Sequence, residues 1–123
     1  MADYRALGEA RIQDNTDGND GWRVNPHFDY PVNDFFVDVS EVFDELKELL
    51  LSKHMDYGPK NIAEAPGGAV NGLRVRMHDK LARINNLVDS GAKPQHESFE
   101  DSFKDMANYA IIGLLVLRDK WDK

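Results

Sequence analysis

At 123 residues the chain has room for one domain with one core, not two ordinary ones, and 41% apolar residues suffice to build it. A net charge of −7 excludes general binding to a nucleic-acid backbone, but not a local basic pocket for one nucleotide. The absence of cysteine excludes disulfides, thiolate metal sites and cysteine nucleophiles, and it suits a reducing, cytoplasmic setting.

In chain order, residues 1–36 read as an irregular N-terminal arm. Met1–Ala10 lacks the apolar core of a signal peptide, and Asp3–Gln13 has room for one short helix. Asn15 to Gly21 is a polar turn former. Trp22, Phe28, Tyr30, Phe35 and Phe36 follow, with Pro26 and Pro31 among them. The prolines oppose a long helix and the aromatics oppose full disorder, so the arm is expected to pack on the body or on a second subunit.

Residues 37–123 read as the helical domain. The first helix is expected from about Val37 to about His54. Val39, Val42, Phe43, Leu46, Leu49 and Leu50 form one apolar stripe, and Asp38 with Glu41 resembles a capping box. Gly58 and Pro59 end it, and residues 56–69 read as a loop with a strong breaker at Pro66-Gly67-Gly68. The second helix is expected over Val70–Val88, with Val70, Leu73, Met77, Leu81, Ile84 and Val88 toward the core. Residues 90–94 stop it. The last helix starts near Ser98, whose Asp101 completes a capping-box pattern, and its stripe is Phe99, Phe103, Met106, Ala110, Leu114, Leu117 and Trp121. Its second half, Tyr109–Leu117, is apolar nearly all round, which calls for burial on several sides and points to a homo-oligomer. The longest apolar run, Ala110–Leu117, is far short of the roughly 20 residues that span a bilayer, so no membrane association is expected. No strand alternation or repeat stands out. The fold class is all-α: three main helices in a bundle, with an irregular arm, completed by oligomerisation.

The charges on these helices are sorted by sign. Glu41, Glu45, Glu48 and Ser52 share one side of the first helix, and Asp101, Asp105 and Asn108 one side of the last. Repeated carboxylates repel unless a cation sits among them, and a hard divalent ion such as Mg²⁺ is the matching ligand. The alternative is a solvated acidic face, which is weaker for Asp105 and Asn108 because apolar residues surround them. Arg76, Lys80 and Arg83 share a face of the middle helix, where they fit either carboxylate partners or phosphates. His27, His54, His78 and His96 lack zinc-site spacing and read as surface or packing residues. There is no P-loop, nucleophile elbow or Rossmann glycine motif.

Taken together, Lys53-x3-Tyr57-Gly58-x2-Asn61-Ile62, Gly72-Leu73-x2-Arg76-x2-Asp79-Lys80-x2-Arg83-x2-Asn86-Leu87 and Glu97-Ser98-x2-Asp101-x3-Asp105-x2-Asn108-Tyr109-Ala110 resemble the nucleotide modification associated domain 1 family. The resemblance covers about residues 38–118. It implies a link to phage and prophage nucleotide and modified-base metabolism. The acidic helices also resemble the all-α pyrophosphohydrolases of the MazG and dimeric dUTPase type, which hold Mg²⁺ between an ExxE and an ExxD helix. Glu45-x2-Glu48 and Glu97-x2-Glu100 match the first pattern, whereas Asp101-x3-Asp105 departs from the second.

The expectation is therefore a Mg²⁺-dependent nucleotide-binding protein that hydrolyses nucleoside triphosphates to monophosphates. Glu45, Glu48, Asp101 and Asp105 would hold the metal and carry catalysis. Lys53, Arg76, Lys80 and Arg83 would clamp phosphates, Tyr57 would stack on the base, and Asn61 or Asn108 would hydrogen-bond it. The rival is a protein that binds or sequesters a nucleotide without turning it over, or serves as an accessory subunit of a base-modifying complex. A third reading is an interaction module whose acidic faces are soluble surface only.

Overall fold

A computed structural model describes residues 29–122, so most of the expected arm, including any helix over Asp3–Gln13, lies outside the described residues. Every regular element among the described residues is a helix: α1 (Asp34–Tyr57), α2 (Lys60–Ala63), α3 (Ala69–Ser90) and α4 (Phe99–Leu117). None is long and apolar enough to cross a membrane.

Local chemistry sets the helix ends. α1 begins three residues earlier than the expected start at Val37, because Asn33 caps it: the Asn33 Oδ1 accepts the Phe36 amide at 2.9 Å. It runs on to Tyr57, where Gly58 takes a left-handed φ of 66° and its amide closes on the His54 carbonyl at 2.8 Å. The segment read as a plain loop contains one helical turn, α2, which is too short to leave a periodicity. α3 ends at Gly91, again left-handed and bonded to the Leu87 carbonyl. α4 opens with the expected capping box. The Ser98 Oγ accepts the Asp101 amide at 3.1 Å, and Asp101 Oδ2 accepts the Ser98 amide at 3.2 Å.

The core is small: Ile62, Leu73 and Ile112 form its centre, with Leu50, Ala69, Tyr109, Val116 and Trp121 packed against it. α3 and α4 are the most closely packed pair. α1 beyond Ser40 joins them mainly through side chains, such as the Asn108 Nδ2 that donates to the Leu46 carbonyl at 3.1 Å. α4 is rotated from its expected orientation. Its buried residues are Ser102, Asn108 and Ile112, whereas Phe103, Leu114 and Leu117 of the apolar stripe stay exposed. α3 keeps Leu73 buried but leaves Val70, Leu81 and Val88 exposed, and Val39, Val42 and Phe43 of α1 are exposed as well.

Candidate functional site

The basic face of α3 divides into two parts with different partners. In the first, Lys80 donates to both carboxylate oxygens of Glu97, at 2.9 and 3.0 Å, and lies 3.0 Å from Asp105 Oδ2. The other Asp105 oxygen accepts Lys53 of α1 at 2.9 Å. Arg83 donates to the fully buried Ser102 Oγ at 2.7 Å and to the Glu97 carbonyl, and its Nε sits 3.9 Å from the Glu97 carboxylate. The ladder Lys53–Asp105–Lys80–Glu97–Arg83 ties α1, α3, α4 and the preceding loop together. Three cations face two carboxylates along it, so positive charge is left over.

The ladder also sets the protonation of its members. Burial alone would raise the Asp105 carboxyl, but hydrogen bonds from Lys53 and Lys80 outweigh it and hold the group below the usual carboxylate range. The Asp105 bond raises Lys53 against the opposing effect of burial. Burial opposes the charge on Lys80, yet its bonds to Glu97 and Asp105 raise it too.

The second part is a cleft of about 250 Å³ where the end of α1, α2, the start of α3 and the second half of α4 meet. Leu50, Lys53, His54, Tyr57 and Gly58 line it from the first side, and Asn61, Ile62 and Arg76 from the second. Asn108, Tyr109, Ile112 and Trp121 complete the wall. Arg76 donates to the carbonyls of Asn61 at 3.2 Å and Gly72 at 3.4 Å, and belongs to none of the ion pairs formed among the described residues. Among the described residues it is a guanidinium without a carboxylate counter-ion, beside a cavity. The His54 ring meets Trp121 edge-on at 4.8 Å, and the Trp121 indole N–H donates to the Pro59 carbonyl at 2.9 Å. Two buried polar atoms of this lining, His54 Nδ1 and Asn108 Oδ1, have no hydrogen-bond partner among the described residues.

Five of the residues singled out for substrate therefore line one cavity: Lys53, Tyr57, Asn61, Arg76 and Asn108. Lys80 and Arg83 stand in the ladder instead, Lys80 one step removed from Lys53 through Asp105 and Arg83 further along through Glu97. The four expected metal ligands are dispersed among other roles. Asp101 caps α4, where the Ser98 hydroxyl and amide lower its pKa. Each Asp105 oxygen faces an ammonium. Glu45 lies 3.6 Å from Lys104, and Glu48 is exposed. No three acidic or histidine side chains among the described residues form a group that could hold a metal ion. A hard cation needs carboxylates free of competing ammonium groups, so these four do not fit Mg²⁺ as they are arranged.

His54, Tyr109 and Trp121 of the cleft were not singled out for substrate by sequence. Leu50, His54 and Tyr57, at i, i+4, i+7, carried a usable signal as a face shared with the Lys53 stripe. Trp121 gave none, because its place depends on the Pro59 carbonyl far away in the chain.

The chain was compared with known families, curated proteins and solved structures. No curated protein and no solved structure matches it. The nucleotide modification associated domain 1 family matches residues 53–117. That span is more than half of the chain, begins at Lys53 and takes in the whole ladder and all of the cleft except Leu50 and Trp121. The chain thus belongs to the nucleotide modification associated domain 1 family.

Proposed function

We propose that this protein binds a nucleotide in the cleft and that binding, rather than hydrolysis, is its primary activity. One observation carries the reading: a single cavity wall combines an uncountered Arg76, the half-exposed Lys53, aromatic faces and two unpartnered buried polar atoms. Guanidinium and ammonium groups take phosphate oxygens, and aromatic and aliphatic faces take a base. The family's name links it to nucleotide modification, which fits a protein that holds a nucleotide for a partner enzyme. A cysteine-free chain suits the cytoplasm, where nucleotide pools lie.

Pyrophosphohydrolysis is the competing outcome. It requires Glu45, Glu48, Asp101 and Asp105 to converge on Mg²⁺, and Asp105 would first have to release both lysines. Calorimetric titration with deoxynucleoside mono- and triphosphates, in EDTA and in Mg²⁺, separates the readings when phosphate release is followed in parallel. Binding in EDTA with no turnover is expected. Binding or turnover only in Mg²⁺ would replace this proposal with the hydrolytic one.

A further inference from the structure

Asn108 is the most deeply placed polar residue on the cleft wall, at 6% exposure. Its amide orientation is set by a neighbour. The Leu46 carbonyl only accepts, so the Asn108 atom 3.1 Å from it must be the donating nitrogen. The atom left without a partner is therefore the carbonyl oxygen, a pure acceptor. Buried acceptors of folded proteins are almost always satisfied, because a bare one is costly. The chemistry of the missing partner follows: it brings an N–H or O–H group.

We infer that Asn108 reads the base of the bound nucleotide, accepting a hydrogen bond from an N–H donor on the base edge while the phosphates stay at the outer end of the cleft. This rests on the nucleotide-binding reading. A phosphate monoester is mainly the dianion at neutral pH and repels a bare acceptor, so it does not satisfy the Asn108 oxygen. A sugar is polar all round, and the lining that Asn108 shares includes Leu50, Ile62 and Ile112. A base has apolar faces for those side chains and places its donors at the rim. Of the two cations, Lys53 lies toward solvent, its side chain 48% exposed. The His54 Nδ1, also bare, supplies a second edge contact. Both atoms are covered, so admission of the base requires a cleft side chain to move.

Replacing Asn108 would also break its bond to Leu46, so the test varies the ligand and keeps the protein intact. The probes are dAMP, dCMP, dGMP and dTMP, each beside its analogue methylated at every N–H donor of the base, and 2-deoxyribose 5-phosphate. For bulk, 5-methyl-dCMP is compared with dCMP and dTMP with dUMP. Methylation of the donors of the best-bound base is expected to weaken binding about tenfold or more, as one buried hydrogen bond lost. The carbon-methylated controls are expected to change affinity by less than about threefold, the range of a non-directional contact. Equal affinities for parent and N-methylated nucleotide would overturn the inference and leave the oxygen to a structural water. So would an equal loss in the carbon-methylated controls, or binding of 2-deoxyribose 5-phosphate as tight as that of the nucleotides. If no probe binds, the nucleotide-binding reading itself fails, and this inference with it.

Discussion

Asp105 is the residue on which the ladder depends. Its side chain is 11% exposed and holds Lys53 and Lys80 from opposite oxygens. Asp105→Asn would leave Lys53 without its carboxylate partner, and Lys80 and Arg83 sharing Glu97. Breaking a buried pair costs about 3–5 kcal/mol, and the half-exposed Lys53 lowers this to about 2–3 kcal/mol. Thermal melting of both proteins checks it; a loss under about 0.5 kcal/mol would show that the ladder contributes little, as exposed ion pairs do. The pH dependence has a definite sign. Asp105 has a lowered folded pKa, so its contribution is complete above the unfolded carboxylate value of about 3.9 and is lost as pH falls through the lower folded value. Lys53 and Lys80 are raised, so theirs is complete below about pH 10.4 and is lost as pH rises through their folded values. The stability gap between wild type and Asp105→Asn is expected to close below about pH 4 in urea titrations. A gap that does not narrow at all as pH falls below about 4 would assign the mutant's defect to packing. Arg76→Ala makes the complementary test in the cleft: nucleotide affinity should fall about tenfold, as a charge-assisted bond lost, while nucleoside affinity holds. Equal losses for both would remove Arg76 from phosphate binding.

The helices show which features were legible in the sequence. Apolar periodicity marked the three long helices, and Ser98 with Asp101 marked the start of α4 correctly. Rotation about the α4 axis was not legible. The apolar stripe through Phe103, Leu114 and Leu117 was the natural inward face, yet the polar side chains of Ser102 and Asn108 turn inward. They do so because Arg83 and the Leu46 carbonyl satisfy them, and both lie far away in sequence. The cleft residues Lys53, Tyr57, Asn61, Arg76 and Asn108 were legible as a set but not as a cavity, since α2 leaves no periodic signal and Trp121, read as the end of the α4 stripe, lies past the end of that helix. The junction of α3 with the turn before it is tight. A methyl group on Gly72 would come within 2.5 Å of the Ala65 Cβ. Gly72→Ala is therefore expected to destabilise by about 1–3 kcal/mol through overpacking, against a helix-propensity gain of about 1 kcal/mol. Urea unfolding checks the balance, and a stabilised mutant would mean that the Ala65 turn yields freely.

For the molecule as a whole, the distribution of apolar surface is the main consequence of that rotation. Phe103, Leu114 and Leu117 on α4 are 61%, 51% and 75% exposed. A buried centre of Ile62, Leu73 and Ile112 is small beside that area. Apolar patches of this kind mark interfaces, so a homodimer packed through α4 is expected. Light scattering at high micromolar concentration should return twice the 14.0 kDa chain mass, and Leu114→Glu should return the single-chain mass. A monomeric wild type would contradict this.

Nucleotide binding in the cleft is tested most directly by amide-correlation NMR during titration with dAMP, dCMP, dGMP and dTMP in EDTA. The Asn108 side-chain amide and the Trp121 indole both report from the lining of the cavity. Saturable shifts at both, together with Lys53, His54 and Arg76 and without disturbance of the Ser98 cap, are the expected result. No shifts at millimolar nucleotide, or shifts confined to residues outside the cleft, would contradict it.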